Sequence, residues 1–500
     1  MQAISQDDIV RRIQAENPWW SQRNINPTYR GMKPRPYLDL FLMLMKEPVR
    51  RAVVLMGPRR VGKTVMIHHA IQALLESGTK AGSICYISLD SPVYNGLGLE
   101  KLLEYYQLAS GISVKTETSC IFFDEIQYLR DWEVHLKSVV DTYENLKCIA
   151  SGSSAAALRL KSQESGAGRF TNFLLPPLTF FEFVDLQGKT QELIDAEAFE
   201  DAKYGTGFID LFSIASKISV SALNEEFIRY LNYGGYPEAV FSEPIQADPA
   251  RFIKSDIIDK VLLRDLPSLY GIEDIQELNS LFTTLAFNTA SEISLQELAQ
   301  NSGVAKNTIK RYIEYLEAAF LIKTVHRLDH NARRFRRANF FKVYLANPSM
   351  RAALFSTVRE DDPAIGHLAE TAVFAQWFHS EYPLNYARWS EGEVDIVALG
   401  PEQKAEWAVE VKWSDRFADD AQRLSGLVSF MRQNRLDSAL VTSRSVSRDL
   451  KVEGKLLRFA PVSVYCFTVG YNLMHGRTQQ RLTGTGVPAE KPDRGINQST

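Results

Sequence analysis

The chain has 500 residues, too many for one ordinary hydrophobic core, so several domains are expected. Lys plus Arg (57) nearly balances Asp plus Glu (60), which excludes binding to nucleic acid or membrane by overall charge and leaves only local surfaces for such work. The apolar run Leu40 to Met45 is far too short to span a bilayer and the charged start, Met1 to Glu16, has no signal-peptide core, so a cytoplasmic protein with no membrane partner is expected.

The first chemical element follows the apolar run Ala52 to Met56, whose length and β-branched content predict a buried parallel strand. Gly57-Pro58-Arg59-Arg60-Val61-Gly62-Lys63-Thr64 then completes a G-x-x-x-x-G-K-[ST] loop, and Val65 to Leu75 reads as a helix. Strand, loop and helix in this order predict a nucleoside triphosphate site. The glycines let backbone N–H groups wrap the phosphates, and the helix N-terminus adds partial positive charge. Lys63 reaches the β and γ phosphates, and the Thr64 hydroxyl ligates Mg2+.

Ser83 to Leu89 and Cys120 to Glu125 are the next strand candidates, and the second ends in two acids. This is the Walker B pattern: Asp124 holds Mg2+ through water and Glu125 polarises the attacking water. A helix from about Trp132 to Glu144 leads to the strand Leu146 to Ala150 and the turn Ser151-Gly152-Ser153-Ser154. Ser151 or Ser153 is the candidate γ-phosphate sensor, although the same four residues also make a good turn. Arg169, before the strand candidate Phe173 to Leu175, is placed like an arginine finger supplied to a neighbouring subunit, which implies a homo-oligomer, or is a plain surface arginine. Cys85, Cys120, Cys148 and Cys466 show no C-x-x-C spacing, so neither disulfides nor structural zinc is expected.

The Gly57 to Thr64 loop, IFFDEIQYL at 121–129, SGSSAAALRL at 151–160, GRF at 168–170, PPLTFFEF at 176–183 and YLNYGGYPEAV at 230–240 follow in one order. Together they resemble a prokaryotic group of AAA-type ATPases that carry a C-terminal restriction-endonuclease-like domain. The resemblance runs from Asn17 to Phe467 and implies ATP and Mg2+ as ligands; the lack of an Asn-Lys-x-Asp guanine-reading motif agrees. It also makes Asn17-Pro18-Trp19-Trp20 the start of the family, packing near the nucleotide or the sheet edge. The helical stretch Phe180 to about Asp265, broken at Tyr233-Gly234-Gly235-Tyr236-Pro237, becomes by resemblance a lid that responds to nucleotide.

From Ser294 the apolar spacing predicts a helix through Leu298 and Ala299, a turn at Gly303, a second helix from Thr308 through Leu316, and a strand at Phe320 to Ile322. This is a winged-helix pattern. Lys306, Asn307, Lys310 and Arg311 face a possible major groove, and Arg327, Arg333, Arg334, Arg336 and Arg337 suit phosphate contact in a wing. Double-stranded DNA is one expected partner; a protein docked on the same module is the other.

Glu391 to Val397 and Trp407 to Lys412 predict two short strands that bring Asp395 beside Glu410, with Lys412 on the same face. Two carboxylates that bind Mg2+ and a lysine that steadies a scissile phosphate make the nuclease logic D-x(n)-E-x-K. Glu370, on the helix Leu368 to Phe378, fits a further acid of such folds. Val394, Ile396, Val409 and Val411 fill the alternate positions, which argues against a solvated face.

The expected fold class is α/β: a P-loop NTPase parallel sheet with helical lid, a winged-helix module and a C-terminal α/β restriction-endonuclease-like domain. The expected boundaries are an N-terminal segment 1–30, an AAA-type core 31–180, a lid 181–275, a winged helix 276–345, a nuclease-like domain 346–476 and a disordered tail 477–500. ATP hydrolysis is the expected activity. An ATP-gated Mg2+-dependent DNA nuclease and a non-catalytic nucleotide switch that binds a protein are the alternatives.

Overall fold

The computed structural model describes residues 5–152, 168–204, 207–334, 339–380 and 382–483. The chain divides into two compact units, Met1–Pro176 and Pro177–Thr500.

The first unit is built on five parallel strands, β1 (Ala52–Met56), β2 (Ile84–Ser88), β3 (Ser119–Asp124), β4 (Leu146–Gly152) and β5 (Phe170–Leu174), in the order β2-β3-β4-β1-β5. Every residue of β1 and β3 is buried, which explains why these segments read as apolar runs without alternation. The helices Leu99–Ser110 and Trp132–Thr142 bury Leu102, Leu103, Tyr106, Leu136 and Val139 in the core formed with the sheet. The chain lays β2, β3 and β4 on one side of β1, then crosses to place β5 on the other. Such a reversal of strand order opens a crevice at the C-terminal strand ends, where open α/β sheets bind ligands.

Asn17, Trp19 and Trp20 lie along the outer edge of β2. Asn17 Oδ1 accepts from Tyr86 N (2.6 Å) and its amide donates to Tyr86 O (2.8 Å), reproducing the paired bonds of a neighbouring strand. The indole N–H groups of Trp19 and Trp20 both donate to Ile84 O, at 3.0 and 2.8 Å. These are contacts of the sheet edge, and the Trp19 ring also stands edge-on to His68 of the helix Lys63–Glu76, at 6.2 Å.

The second unit holds a two-stranded pair, β6 (Lys203–Tyr204) with β7 (Phe208–Ile209), and a mixed nine-stranded sheet. The large sheet comprises β8 (Glu292–Ser294), β9 (Ile322–Leu328), β10 (Phe340–Leu345), β11 (Leu384–Trp389), β12 (Gly392–Leu399), β13 (Ala405–Glu410), β14 (Ser438–Ser443), β15 (Arg448–Val452) and β16 (Lys455–Pro461). Its order is β15-β16-β14-β13-β12-β11-β9-β10-β8. The helices Leu295–Ser302 and Lys306–Ala318 meet at Gly303, whose φ of 71° supplies the left-handed turn.

Three expected boundaries fall differently. β9 pairs in parallel with β11 through Asn385 opposite His326 and Tyr386 opposite Arg327, so the division expected at 345 lies inside one continuous sheet. Sequence patterning marks a strand but not its partner. The helices expected as a separate lid pack within this unit: Phe181 meets Phe467 and Tyr471 of the helix Val462–Thr483 at ring distances of 5.2 and 5.0 Å. That helix runs through Thr483, so the tail expected from 477 begins as helix, its Thr-Gln-Gln-Arg-Leu stretch holding no breaker before Gly484. No helix among the described residues is long and apolar enough to cross a membrane, and all four cysteines are buried and free.

Candidate functional site

The first site forms at the C-terminal ends of β1, β3 and β4. The loop leaves β1 at Met56 and enters the helix Lys63–Glu76, with Arg60 and Gly62 in the left-handed region (φ 64° and 91°). Gly57 is required by close approach: a Cβ there would stand 2.1 Å from Leu175 O. The Lys63 ammonium donates to Gly57 O (3.0 Å) and Pro58 O (2.8 Å), so its charge lies inside the curl of the loop.

Asp124, at the tip of β3, gathers hydroxyls from three elements. Thr64 Oγ1 donates to its Oδ2 at 2.8 Å, Tyr86 OH donates to the same oxygen at 2.9 Å, and Ser151 Oγ donates to Oδ1. Oδ1 also accepts the backbone N–H of Glu125 at 3.1 Å. Glu125 sits at φ 55°, a strained position for a non-glycine residue, and its carboxylate accepts from the Gln127 amide. Ser151 is buried and its hydroxyl is directed at Asp124. Ser153 lies outside the described residues.

Beside this cluster, His68 stacks on Tyr29 at 4.2 Å and lies 4.9 Å from the Tyr86 ring. Burial pushes its pKa down to about 4, only partly opposed by the charge of Asp124. Arg35 is buried, and its guanidinium donates to Val61 O and Pro176 O, both at 2.9 Å, tying the phosphate loop to the segment that follows β5. Sequence reading missed Arg35, Tyr86 and His68; an arginine between two prolines and rings within apolar runs carry no motif.

Arg169 stands at the opposite sheet edge. Its carbonyl accepts from Ala52 N at the start of β1, and its guanidinium pairs with Asp141 at 2.5 Å. The length of β1, on the order of 16 Å, separates it from the loop of its own chain.

The second constellation lies within the nine-stranded sheet. β12 and β13 are antiparallel with Ile396 opposite Val409, so the next pair along the ladder is Asp395 and Glu410. Lys412 Nζ lies 2.7 Å from Glu410 Oε1 and 3.3 Å from Asp395 Oδ2, and Asp395 Oδ2 accepts from Val411 N at 2.9 Å. Glu370, on the helix Ile365–Trp377, joins them through Lys342, whose ammonium lies 2.9 Å from Glu370, 2.6 Å from Glu393 and 3.4 Å from Asp395. Tyr344 OH also donates to Glu370, at 2.6 Å. Glu370, Asp395, Glu410 and Lys412, singled out in the sequence, thus lie together, with Lys342 and Tyr344, which the sequence reading omitted. Their signal was present: two polar groups at alternate positions of the apolar strand Phe340–Leu345.

The electrostatics divide these acids. Burial, reinforced by the charge of Asp395, pushes both Glu370 and Glu410 up to about 7. Burial acts on Asp395 too, but Lys412, Lys342 and the Val411 N–H outweigh it and hold its carboxyl below the usual range. Glu410 Oε2 is buried and receives no hydrogen bond from any described residue. No group of three His, Cys, Asp or Glu side chains arranged to hold a metal occurs among the described residues.

Lys306, Asn307, Lys310 and Arg311 are exposed on the helix Lys306–Ala318, while Ile309, Tyr312, Ile313 and Leu316 face inward. Arg333 and Arg334 are exposed, and Arg336 and Arg337 lie outside the described residues. Arg327 is not a free wing residue: it sits on β9, 3.5 Å from Glu292, and its Nε donates to Arg388 O.

The phosphate loop and the strands that carry the first site match a known pattern: residues 49–184 fit the family model described as AAA domain. Residues 49–184 are an AAA domain. With its five-stranded parallel sheet, the AAA domain has a P-loop NTPase fold, and its phosphate loop, Asp124 and Ser151 all fall inside the match. Residues 224–361 fit a second model, a domain of unknown function (DUF8612), which spans the two helices that meet at Gly303 and β8 to β10 but ends before Glu370.

Relatives extend beyond the AAA domain. Uncharacterized protein MJ1637 of Methanocaldococcus jannaschii is 25% identical over 366 residues, 70% of this chain and 73% of its own length. An uncharacterized protein of Haemophilus influenzae is 22% identical, covering 69% of this chain and 78% of its own. Among solved structures, the S. cerevisiae Hsp104-ADP complex matches 62% of this chain and 40% of that chain at 15% identity; its TM-score of 0.29 is too low to bear on the fold.

Proposed function

We propose that the AAA domain binds and hydrolyses ATP. The observation that carries this reading is the meeting of Thr64, Asp124 and Ser151 at the mouth of a phosphate-binding loop. The hydroxyl of Thr64 and the carboxylate of Asp124, 2.8 Å apart at a helix N-terminus, form a hard-oxygen donor set that suits Mg2+. When bound with the nucleotide, that ion neutralises charge on the phosphates. Lys63 exchanges its two loop carbonyls for phosphate oxygens, Glu125 orients the attacking water and accepts its proton, and Ser151 and Tyr86 hold Asp124 in place.

In the rest of the proposal, Arg169 serves the site of a neighbouring subunit in a homo-oligomer, which its distance from its own loop favours. Nucleotide turnover moves helices of the stretch 181–275, and the exposed face of Lys306, Asn307, Lys310 and Arg311 meets double-stranded DNA. A second reading, an ATP-gated DNA nuclease centred on Asp395, Glu410 and Lys412, draws support from the facing of Asp395 and Glu410 across the hairpin.

The test is ATP hydrolysis with Mg2+, alone and with duplex DNA, while the DNA is followed on a gel. DNA-stimulated turnover lost in Lys63→Ala but kept in Asp395→Ala supports the first reading. DNA cleavage lost in Asp395→Ala but only deregulated in Lys63→Ala supports the second. No turnover under any condition, with nucleotide-dependent capture of a protein, would leave a non-catalytic switch.

A further inference from the structure

The second site was expected to hold a divalent cation between its acids, yet the position such an ion needs is taken. Lys342 is almost wholly buried, and its three N–H bonds match three carboxylates, those of Glu370, Glu393 and Asp395 at 2.9, 2.6 and 3.4 Å. Tyr344 locks Glu370 into the same arrangement from the next same-face position of β10. Across the cluster, Lys412 answers Asp395 and Glu410 in the same way.

We propose that Lys342 is the resident cation of this cluster and excludes a divalent ion from Glu370 and Asp395 until its ammonium is displaced. An ion coordinated by these two carboxylates would sit about 2.0–2.6 Å from their oxygens, in the space the ammonium occupies. Its double charge would then face a lysine at contact distance in a dry setting, where like charges repel strongly. Removing the ammonium reverses the balance: buried carboxylates lose their counter-charge, and a divalent ion restores it. As they stand, therefore, the residues do not fit the metal expected from the D-x(n)-E-x-K pattern: Lys342 faces Asp395 Oδ1, Lys412 spans Asp395 Oδ2 and Glu410 Oε1, and cleavage by this site would require an ammonium to leave first. The inference is independent of ATP hydrolysis, so its failure would leave that proposal untouched.

Mn2+ binding, read by titration calorimetry and by the electron spin resonance of free Mn2+, tests this on the full chain without nucleotide. An Asp124→Asn background silences the first site. We expect Asp395→Asn to leave Mn2+ binding of this parent unchanged, whereas Lys342→Met binds one Mn2+ about tenfold or more tightly than the parent. Adding Asp395→Asn to Lys342→Met should abolish that gain. Mn2+ binding by the parent that depends on Asp395 would overturn the proposal, as would a folded Lys342→Met that gains none. The parent arm decides by itself if Lys342→Met does not fold: Asp395-independent binding supports the proposal and Asp395-dependent binding sinks it.

Discussion

The two clusters hold their carboxylates by opposite means. In the first unit Asp124 is surrounded by the hydroxyls of Thr64, Tyr86 and Ser151; in the second, Glu370, Asp395 and Glu410 are held by the ammonium groups of Lys342 and Lys412. Hydroxyls orient a carboxylate without neutralising it, so its charge stays available to an incoming cation. Ammonium groups offset much of that charge, and both oxygens of Asp395 already face one. One arrangement leaves its carboxylate charge open and the other ties it into an ion network, although both are centred on a buried aspartate carried by a strand.

That contrast predicts different costs for removing a partner. The largest effect belongs to the ammonium site: Lys342→Met, which leaves buried acids without their cation, should destabilise the chain by about 3–5 kcal/mol, read as a lower denaturant midpoint. A change under 1 kcal/mol without added metal would break the contrast. At the hydroxyl site, Lys63→Ala should reduce ATP turnover by roughly 10²–10³-fold, the scale of a lost charge-stabilising contact, while nucleotide-free stability changes far less than in Lys342→Met. Steady-state hydrolysis and urea melts of the two variants, side by side, check this.

A third prediction uses pH. The folded His68 titrates at about 4 against 6.5 when free, so the unfolded chain binds more protons between those values. Stability of the first unit therefore falls as the pH drops from 6.5 toward 4, by on the order of 3 kcal/mol from this group alone. His68→Phe should flatten that part of the profile, and an unchanged slope would mean that His68 is not held neutral. The smallest effect is expected from Tyr86→Phe, which removes one of three hydroxyls on Asp124: about 1 kcal/mol, seen as a several-fold rise in the Mg2+ concentration that supports half-maximal turnover.

Legibility from sequence followed the range of the interactions. The strand, loop and helix around Gly57 to Thr64 and the strand ending at Asp124 were readable because backbone geometry and chemistry are set there within a few consecutive residues. Asp395 and Glu410 were readable because a hairpin pairs positions by simple counting. Tyr86 and Lys342 were not, since each acts through a neighbour tens of residues away and nothing local distinguishes a positioning hydroxyl or a buried counter-ion from an ordinary strand residue. The pairing of β9 with β11 was hidden for the same reason: Ile322, Val325 and Leu328 mark buried positions, while the strand that lies alongside is chosen by the whole unit.

The side-chain amide of Asn17 also has a bearing on handling the protein. Because it occupies the donor and acceptor that Tyr86 would otherwise present to solvent, a variant lacking residues 1–20 would expose a bare row of strand hydrogen-bonding groups on β2. Such a rim invites strands from other molecules, so the shortened protein should self-associate and precipitate even with its phosphate loop intact.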